Sequence, residues 1–506
     1  MTRTIGTILF ACTLAAGSAR AYDSGLDLGF SDGTLHGWSK PYFDVGGYPS
    51  EHLAGMFRDA DGHYLLIGKV CTSAQCATFD IGIARLLGSG AFDTSYGTNG
   101  YVRTPQDLLG NVTAVARDSH GRFVVVGPTA AGAAADVDFG VLRLLPDGSY
   151  DSTFAYAPPP LGTGGGRKNI DFGLGGGSND YPADVLTSAA AAGDYIYLVG
   201  QVSTPAGSDV GLALLTPSGQ LDGGFGSGGL AHFNFGSDAA PLLSTPTSLA
   251  FGDNLLVAGV ARQNGGDPQF ALASYYSDGH GFDITFCSNG MCGGGNTGRM
   301  LIPATRDATR PFNDLQPRVV VENNFLHANI YLGGTVIGYA PGSSDLDSDV
   351  YIRGFDHYGR DLPGFPDFSF QGISHGWLNR LAVDPTSSPP VSSGLSTHRL
   401  VYAGTVTDGN GGGSALVGRF LTGNSPGPDL YFAPGSMPYV TLTTPHHPGE
   451  THLEGTFSTI LFDGPHIVLG GDTYYCCSNT TTTNYDFVAA RLIDDAIFAD
   501  GFDPSA

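Results

Sequence analysis

Short apolar runs ending in glycine recur along this chain, and after each one a loop of small or polar residues leads into a second apolar run. The glycine-ended runs are LLIG to Gly68, VVVG to Gly127, YLVG to Gly200, LVAG to Gly259, YLGG to Gly334, VYAG to Gly404 and VLGG to Gly471. Their partners are FDIGIARLL, DFGVLRLL, SDVGLALL, QFALASYY, SDVYIRGF, SALVGRFL and YDFVAARLI. Runs of this length, rich in β-branched and aromatic residues and bounded by turn residues, predict strands, and nothing along the chain keeps a helical period. Apolar and small residues alternate within the runs, which suits strands covered on both faces.

A repeat of this size cannot bury its own faces and must share a core with its neighbours. Length alone would suggest several domains; the repeat predicts one closed unit instead. The expected fold is all-β, a single β-propeller of seven four-stranded blades. The fullest copy runs from Gly121 to Phe154, where a Pro-Asp-Gly turn and an Asp-x-x-Phe close follow the second run. The recurring glycine is read as the place of a bulge or close backbone approach. In the best copies an aspartate opens the second run and an arginine follows five residues on: Asp80 and Arg85, Asp138 and Arg143, Asp486 and Arg491. Odd spacing puts the two on opposite faces of one strand, so pairing between blades is the expectation and the role is structural.

The mature chain starts with the closing element, LDLGF, while the last copy stops after YDFVAARLI without it. If that element is the outer strand of a blade, the first residues complete the last blade and zip the ring shut; the alternative is that it starts a blade of its own. Together the Asp-Gly turn, the Leu/Phe-Asp-x-x-Phe-Gly close, the glycine-ended strands and Asp-Phe-x-x-x-Arg resemble the delta-60 repeat family of bacterial exported β-propellers. The resemblance spans nearly the whole mature chain, strongest around Gly68 and Gly127 and frayed around Gly334 and Gly404. It implies a propeller and export, and no settled biochemical activity.

Residues 1–21 carry Arg3, an apolar run from Ile5 to Ala16 and the small-x-small sequence Ala19-Arg20-Ala21, which reads as an export signal cut after Ala21. The propeller is assigned to residues 22–493 and a short acidic-aromatic tail to 494–506; the expected location is secreted or periplasmic. Net charge is −24, and lysine occurs only at positions 40, 69 and 168. Such a surface repels phosphate backbones and anionic lipid, so nucleic acid is excluded as a partner. No later segment has the run of apolar residues a membrane-spanning helix needs, and a monomer is expected.

Six cysteines remain after signal removal, in local pairs: Cys71 and Cys76, Cys287 and Cys292, Cys476 and Cys477. An even count in an exported protein reads as disulfides. Cys71 can pair with Cys76, or the first and last pairs can bridge the seam of the ring. His446, His447 and His452 form the one dense histidine cluster, but prolines and a glycine break any helix that would present them to a metal. Asp345, Asp347 and Asp349 alternate as calcium ligands do, without the full loop pattern. No cofactor is expected, calcium being the one candidate ion. Two Gly-x-Ser-x-Gly matches, around Ser374 and Ser425, open no helix as a nucleophile elbow would. The function expected is a non-enzymatic binding or scaffold module at the cell exterior, with a protein or glycan ligand; the alternative is a polysaccharide hydrolase or lyase on the same scaffold.

Overall fold

The computed structural model describes residues 25–43, 50–73, 76–106, 108, 110–131, 136–155, 165–175, 179–191, 193–237, 240–263, 266–288, 298–303, 316–323, 328–339, 346–362, 368–369, 376–384, 399–407, 413–422, 427–429, 432, 439–443, 453–476 and 483–493. Seven antiparallel sheets form a ring of blades, the propeller that the repeat predicts. Blade I is built from Glu51–Arg58, Tyr64–Cys71, Phe79–Leu86 and Tyr101–Pro105. Blade II contains Ala114–Arg117, Phe123–Ala131, Asp136–Leu144 and Arg167–Ile170, and blade III contains Tyr181–Ser188, Tyr195–Thr204, Gly207–Leu215 and Leu230–Phe233. Blades IV, V and VI begin with Leu243–Phe251, Arg318–Asn323 and Gly376–Asp384. In blade VI the outer position is shared by two pieces, Gly427–Pro428 and Tyr439–Leu442, both paired to Gly413–Leu421.

Blade VII takes three strands from the end of the chain, Leu453–Asp463, His466–Cys476 and Thr483–Ile493, and its outer strand, Trp38–Ser39, from the beginning. Trp38 pairs with Ala490 and Ser39 with Ala489. The first strands of neighbouring blades touch one another in cyclic order, and that of blade VII touches that of blade I. The ring therefore closes through the N-terminal segment, the first of the two arrangements the sequence allows.

Blades pack face to face. Seven apolar clusters lie between neighbouring blades, the last across the seam, where Tyr64, Leu66 and Ala84 of blade I meet Val468 and Phe487 of blade VII. Burial on both faces is why the second and third strands are so nearly unbroken in apolar residues. The recurring glycines sit where backbones crowd. A Cβ at Gly68 would stand 2.0 Å from the His52 carbonyl oxygen, and at Gly127, Gly200, Gly259, Gly404 and Gly471 the nearest carbonyl would be 1.8 to 2.5 Å away. Opposite most of them the first strand bulges, as between Leu53 and Gly55 or Pro182 and Asp184. Gly334 is the exception: its Cβ would meet the Phe270 ring at 2.7 Å.

The closing element has a second job, which is to clasp the next blade. Its phenylalanine is buried (Phe30, Phe154, Phe225, Phe286). The backbone N–H that follows each one donates to a turn carbonyl of the next blade: Ser31 to Ser89, Ala155 to Ser218, Gly226 to Asp278 and Cys287 to Tyr358, at 2.7 to 2.9 Å. Glycine follows each accepting residue. At Gly219 φ is +81°, and a Cβ would come within 2.5 Å of the Phe154 ring, so this turn requires glycine on both counts.

The arginines complete the clasp. Arg85 does not find an opening aspartate in a neighbouring blade, as the spacing had suggested; its Nε donates to Asp93 of its own closing element at 2.7 Å. Arg143 pairs with Asp151, Arg353 with Asp361, Arg419 with Asp429, and Arg491 with Asp27 across the chain ends. The turn after the third strand folds the closing element back beside it, and this eight- to ten-residue reach is what the linear spacing concealed. The inter-blade contact comes instead from the same guanidinium, because Arg143 Nη1 also donates to the Pro217 carbonyl of blade III at 2.6 Å while its plane covers Phe154. Replacing Phe154 by alanine is expected to cost about 3–5 kcal/mol, and Gly219→Ala to destabilise as well, both read as lowered urea midpoints. An unchanged midpoint for either would contradict the clasp.

Candidate functional site

Antiparallel order gives the ring two distinct rims. One carries the turns between first and second strands and the clasp just described, nearly the same in every well-formed blade. The other carries the loops between second and third strands and the connections from each outer strand to the next blade. The disulfide Cys71–Cys76, with Cα atoms 4.8 Å apart, lies on this second rim and takes the local pairing. Cys287 is also disulfide-bonded. Cys292, Cys477 and the side chain of Cys476 lie outside the described residues.

Of the proposed metal ligands, His446, His447, His452 and Asp345 also lie outside the described residues. Asp347 and Asp349 fall in the strand Leu346–Phe355, where Asp349 is buried. Trp38 is buried and stacks on Phe457 at 6.1 Å, and Trp377 packs half-buried against the cluster between blades IV and V.

Carboxylates are the chemistry of the second rim. The aspartates that open third strands end up here because the strand starts at this rim. Asp80 pairs with Arg103 at 3.3 Å and Asp486 with the buried Lys40 at 3.0 Å. Asp209 meets His232 at 3.2 Å and the Asn234 amide at 2.7 Å. His232 is raised above its ordinary value chiefly by the hydrogen bond to Asp209. Partial burial opposes that rise and the Asp209 charge reinforces it. At the seam, His52 lies 3.3 Å from Asp472 and stacks at a tilt on Tyr485, and burial pushes the Asp472 carboxyl up.

Asp138 differs from these. It is 2 % exposed, and its Oδ1 is buried without a hydrogen-bond partner. Burial pushes its carboxyl up to about 6, and Asp171, Asp180 and Asp136 add to the rise. Oxygens of Asp138, Asp171 and Asp180 lie within 4.8 Å of one another. The sequence singled out Asp138 as a structural member of the repeat; Asp171 and Asp180 lie within the glycine- and proline-rich insertion from Ala157 to Pro182, where neither carries a signal of its own. Two other groups have metal-like spacing on the first rim. In one, Asp59 is taken up by N–H groups of Asp61 and His63; in the other, Arg122 pairs with Asp118 at 2.6 Å.

Large exposed apolar or aromatic side chains divide between the rims: Tyr42 and Tyr181 on the second, Leu28, Leu87 and Ile284 on the first. No helix among the described residues is long and apolar enough to cross a membrane.

A family model described as a domain of unknown function (DUF5122) β-propeller matches residues 121–154. No curated protein matches the sequence. Among solved structures, the chain is similar to a neuraminidase-like protein of A/flat-faced bat/Peru, with 13 % identity, 79 % of this chain and 97 % of that one covered, and a TM-score of 0.32. It is similar to an endo-1,5-α-L-arabinanase from Thermotoga petrophila, with 9 % identity, 88 % and 99 % covered, and a TM-score of 0.27. A β-fructofuranosidase of Bombyx mori gives 11 % identity, 88 % and 90 % covered, and a TM-score of 0.28.

Because the folded state raises the His232 pKa, the stability it contributes is present below the ordinary histidine value and is lost as pH rises through the folded one. An NMR titration is expected to place His232 above 6.5, and Asp209→Asn to bring it back toward that value; a titration unmoved by the substitution would contradict the pairing.

Proposed function

We propose that this chain is an exported, non-enzymatic binding module, secreted or periplasmic, that engages a glycan with its loop-bearing rim. The observation that carries the reading is the division of labour between the rims. The repeat's arginines and closing aspartates are consumed in holding blade to blade, whereas the second rim combines exposed Tyr42 and Tyr181 with carboxylates of five connections or strand ends. Aromatic faces stack on the C–H faces of sugar rings while carboxylates accept hydrogen bonds from hydroxyls, and such groups on loops held by a rigid scaffold make a recognition surface.

A glycan array probed with the chain from residue 22 onward is expected to give a restricted set of ligands. Tyr42→Ala and Tyr181→Ala should each weaken binding about 2- to 10-fold, the scale of one aromatic contact. Capture of proteins with an array that stays blank would turn the reading toward a protein ligand. Hydrolysis or elimination in a polysaccharide panel, lost on substitution of Asp472 or His52, would overturn the non-enzymatic part.

A further inference from the structure

Five third strands carry an aspartate two residues before the position that faces the second-strand glycine: Asp80, Asp138, Asp209, Asp349 and Asp486. In three blades the outer strand or the residue after it answers that charge with a basic side chain. Arg103 stands opposite Gly82 and His232 opposite Gly211, and Lys40 follows Ser39 at the same place in blade VII. Their distances to Asp80, Asp209 and Asp486 are 3.3, 3.2 and 3.0 Å. Blades II and V depart from this, and in blade V Ser369 stands opposite Tyr351. Opposite Gly140 stands Asn169, exposed, and carrying no charge.

Two further substitutions make the imbalance larger. Where blade III has Asn234 donating to its aspartate, blade II has Asp171, and the two residues are matched by their turns: Gly236 N–H donates to Asn234 as Gly173 N–H donates to Asp171. Where the chain passing from blade III to blade IV has Ser244, accepting from Phe235 N–H, the chain passing from blade II to blade III has Asp180, accepting from Phe172 N–H. The seam uses an acid there too, Glu51, accepting from Phe43 N–H, but places it in the connection that carries Lys40. The charged groups acting on Asp138 are Asp171, Asp180 and Asp136, carboxylates all. Asp138 has a carboxylate oxygen within 4.8 Å of oxygens of Asp171 and Asp180, and its Oδ1 is fully buried with no hydrogen-bond partner.

We propose that Asp138, Asp171 and Asp180 bind a hard divalent cation, Ca²⁺, which takes in blade II the place that Arg103, His232 and Lys40 hold elsewhere. The donor set is all oxygen, as calcium prefers, with no thiolate or imidazole to favour zinc or copper. Asp180 keeps two backbone donors, from Phe172 at 3.1 Å and Ser203 at 3.2 Å, which fix its orientation and leave lone pairs free for a metal. The ion would join the third strand of blade II, the segment after its outer strand and the residue preceding the first strand of blade III. It therefore acts as a staple between two blades, next to exposed Tyr181.

The experiment is calorimetric titration of the EDTA-treated full chain with CaCl₂ up to about 10 mM, which covers the ~10⁻⁴–10⁻³ M range of extracellular calcium sites, alongside thermal unfolding. A one-site isotherm is expected, with a rise in Tm that NaCl of equal ionic strength does not reproduce. Asp138→Asn and Asn169→Lys should each abolish both effects while raising the Tm of the metal-free protein, since each relieves the carboxylate repulsion. Asp171→Asn alters an exposed residue and safeguards against misfolding: it should weaken Ca²⁺ at least tenfold and leave the fold intact. Absence of heat together with a Tm that follows ionic strength alone would overturn the proposal. So would a Ca²⁺-dependent rise in Tm that survives unchanged in Asp138→Asn and Asp171→Asn, because the ion would then bind elsewhere.

Discussion

The contact on which the ring depends is the burial of one blade's closing phenylalanine beneath the turn glycine of the next. Phe154 lies against Gly219, Phe30 against Gly90, Phe225 against Gly279 and Phe286 against Gly359, each so close that a Cβ would meet the ring at 2.5 to 3.0 Å. An unsupported aromatic at a blade edge would be exposed and mobile. At two of these rings the position is set by an arginine held over the ring, itself held by the aspartate three residues earlier in the closing element: Arg143 with Phe154 and Asp151, and Arg491 with Phe30 and Asp27. A buried guanidinium and carboxylate repay their desolvation only when the geometry is good and the remaining donors are used. The Pro217 carbonyl uses one of them, and in doing so extends the pair into the next blade.

This arrangement separates scaffold from surface. One rim carries the clasp, formed by Phe30, Phe154, Phe225 and Phe286 and completed at the seam by Asp27 and Arg491. On the opposite rim the same strand-opening aspartate is answered in different ways, by arginine, histidine or lysine, and in blade II by more acid. Neutralising a buried carboxylate is obligatory, since an isolated buried charge is far costlier than a paired one. The identity of the partner is free to vary. Variation of that kind, at fixed backbone geometry, is how a repeat scaffold acquires local chemistry, and the acidic trio of blade II is its most extreme instance here.

Much of the architecture was legible in the sequence because the physics that sets it is local. A glycine after an apolar run marks crowding against the bulged first strand, as Gly68 does against His52; seven such runs mark seven blades; a closing element at the wrong end of the chain marks a ring joined by its termini. The partners of the arginines were not legible. Arg143 and Asp151 are eight residues apart, and only the turn between them decides that they meet. Nor was the meeting of Asp171 and Asp180 with Asp138, because they follow it by 33 and 42 residues along the chain and only the blade order brings them together.

The central claim is that the charged residues of the repeat belong to the clasp and act as one unit with its aromatic. A double-mutant cycle on Arg143 and Asp151, using Arg143→Met, Asp151→Asn and the pair, with stability read from urea unfolding, tests it most directly. The account predicts that each single change destabilises strongly, about 3–5 kcal/mol for a broken buried pair, and that the double change costs less than the sum by about 1–3 kcal/mol. Single changes that are nearly silent, or costs that add within about 0.3–0.5 kcal/mol, would contradict it.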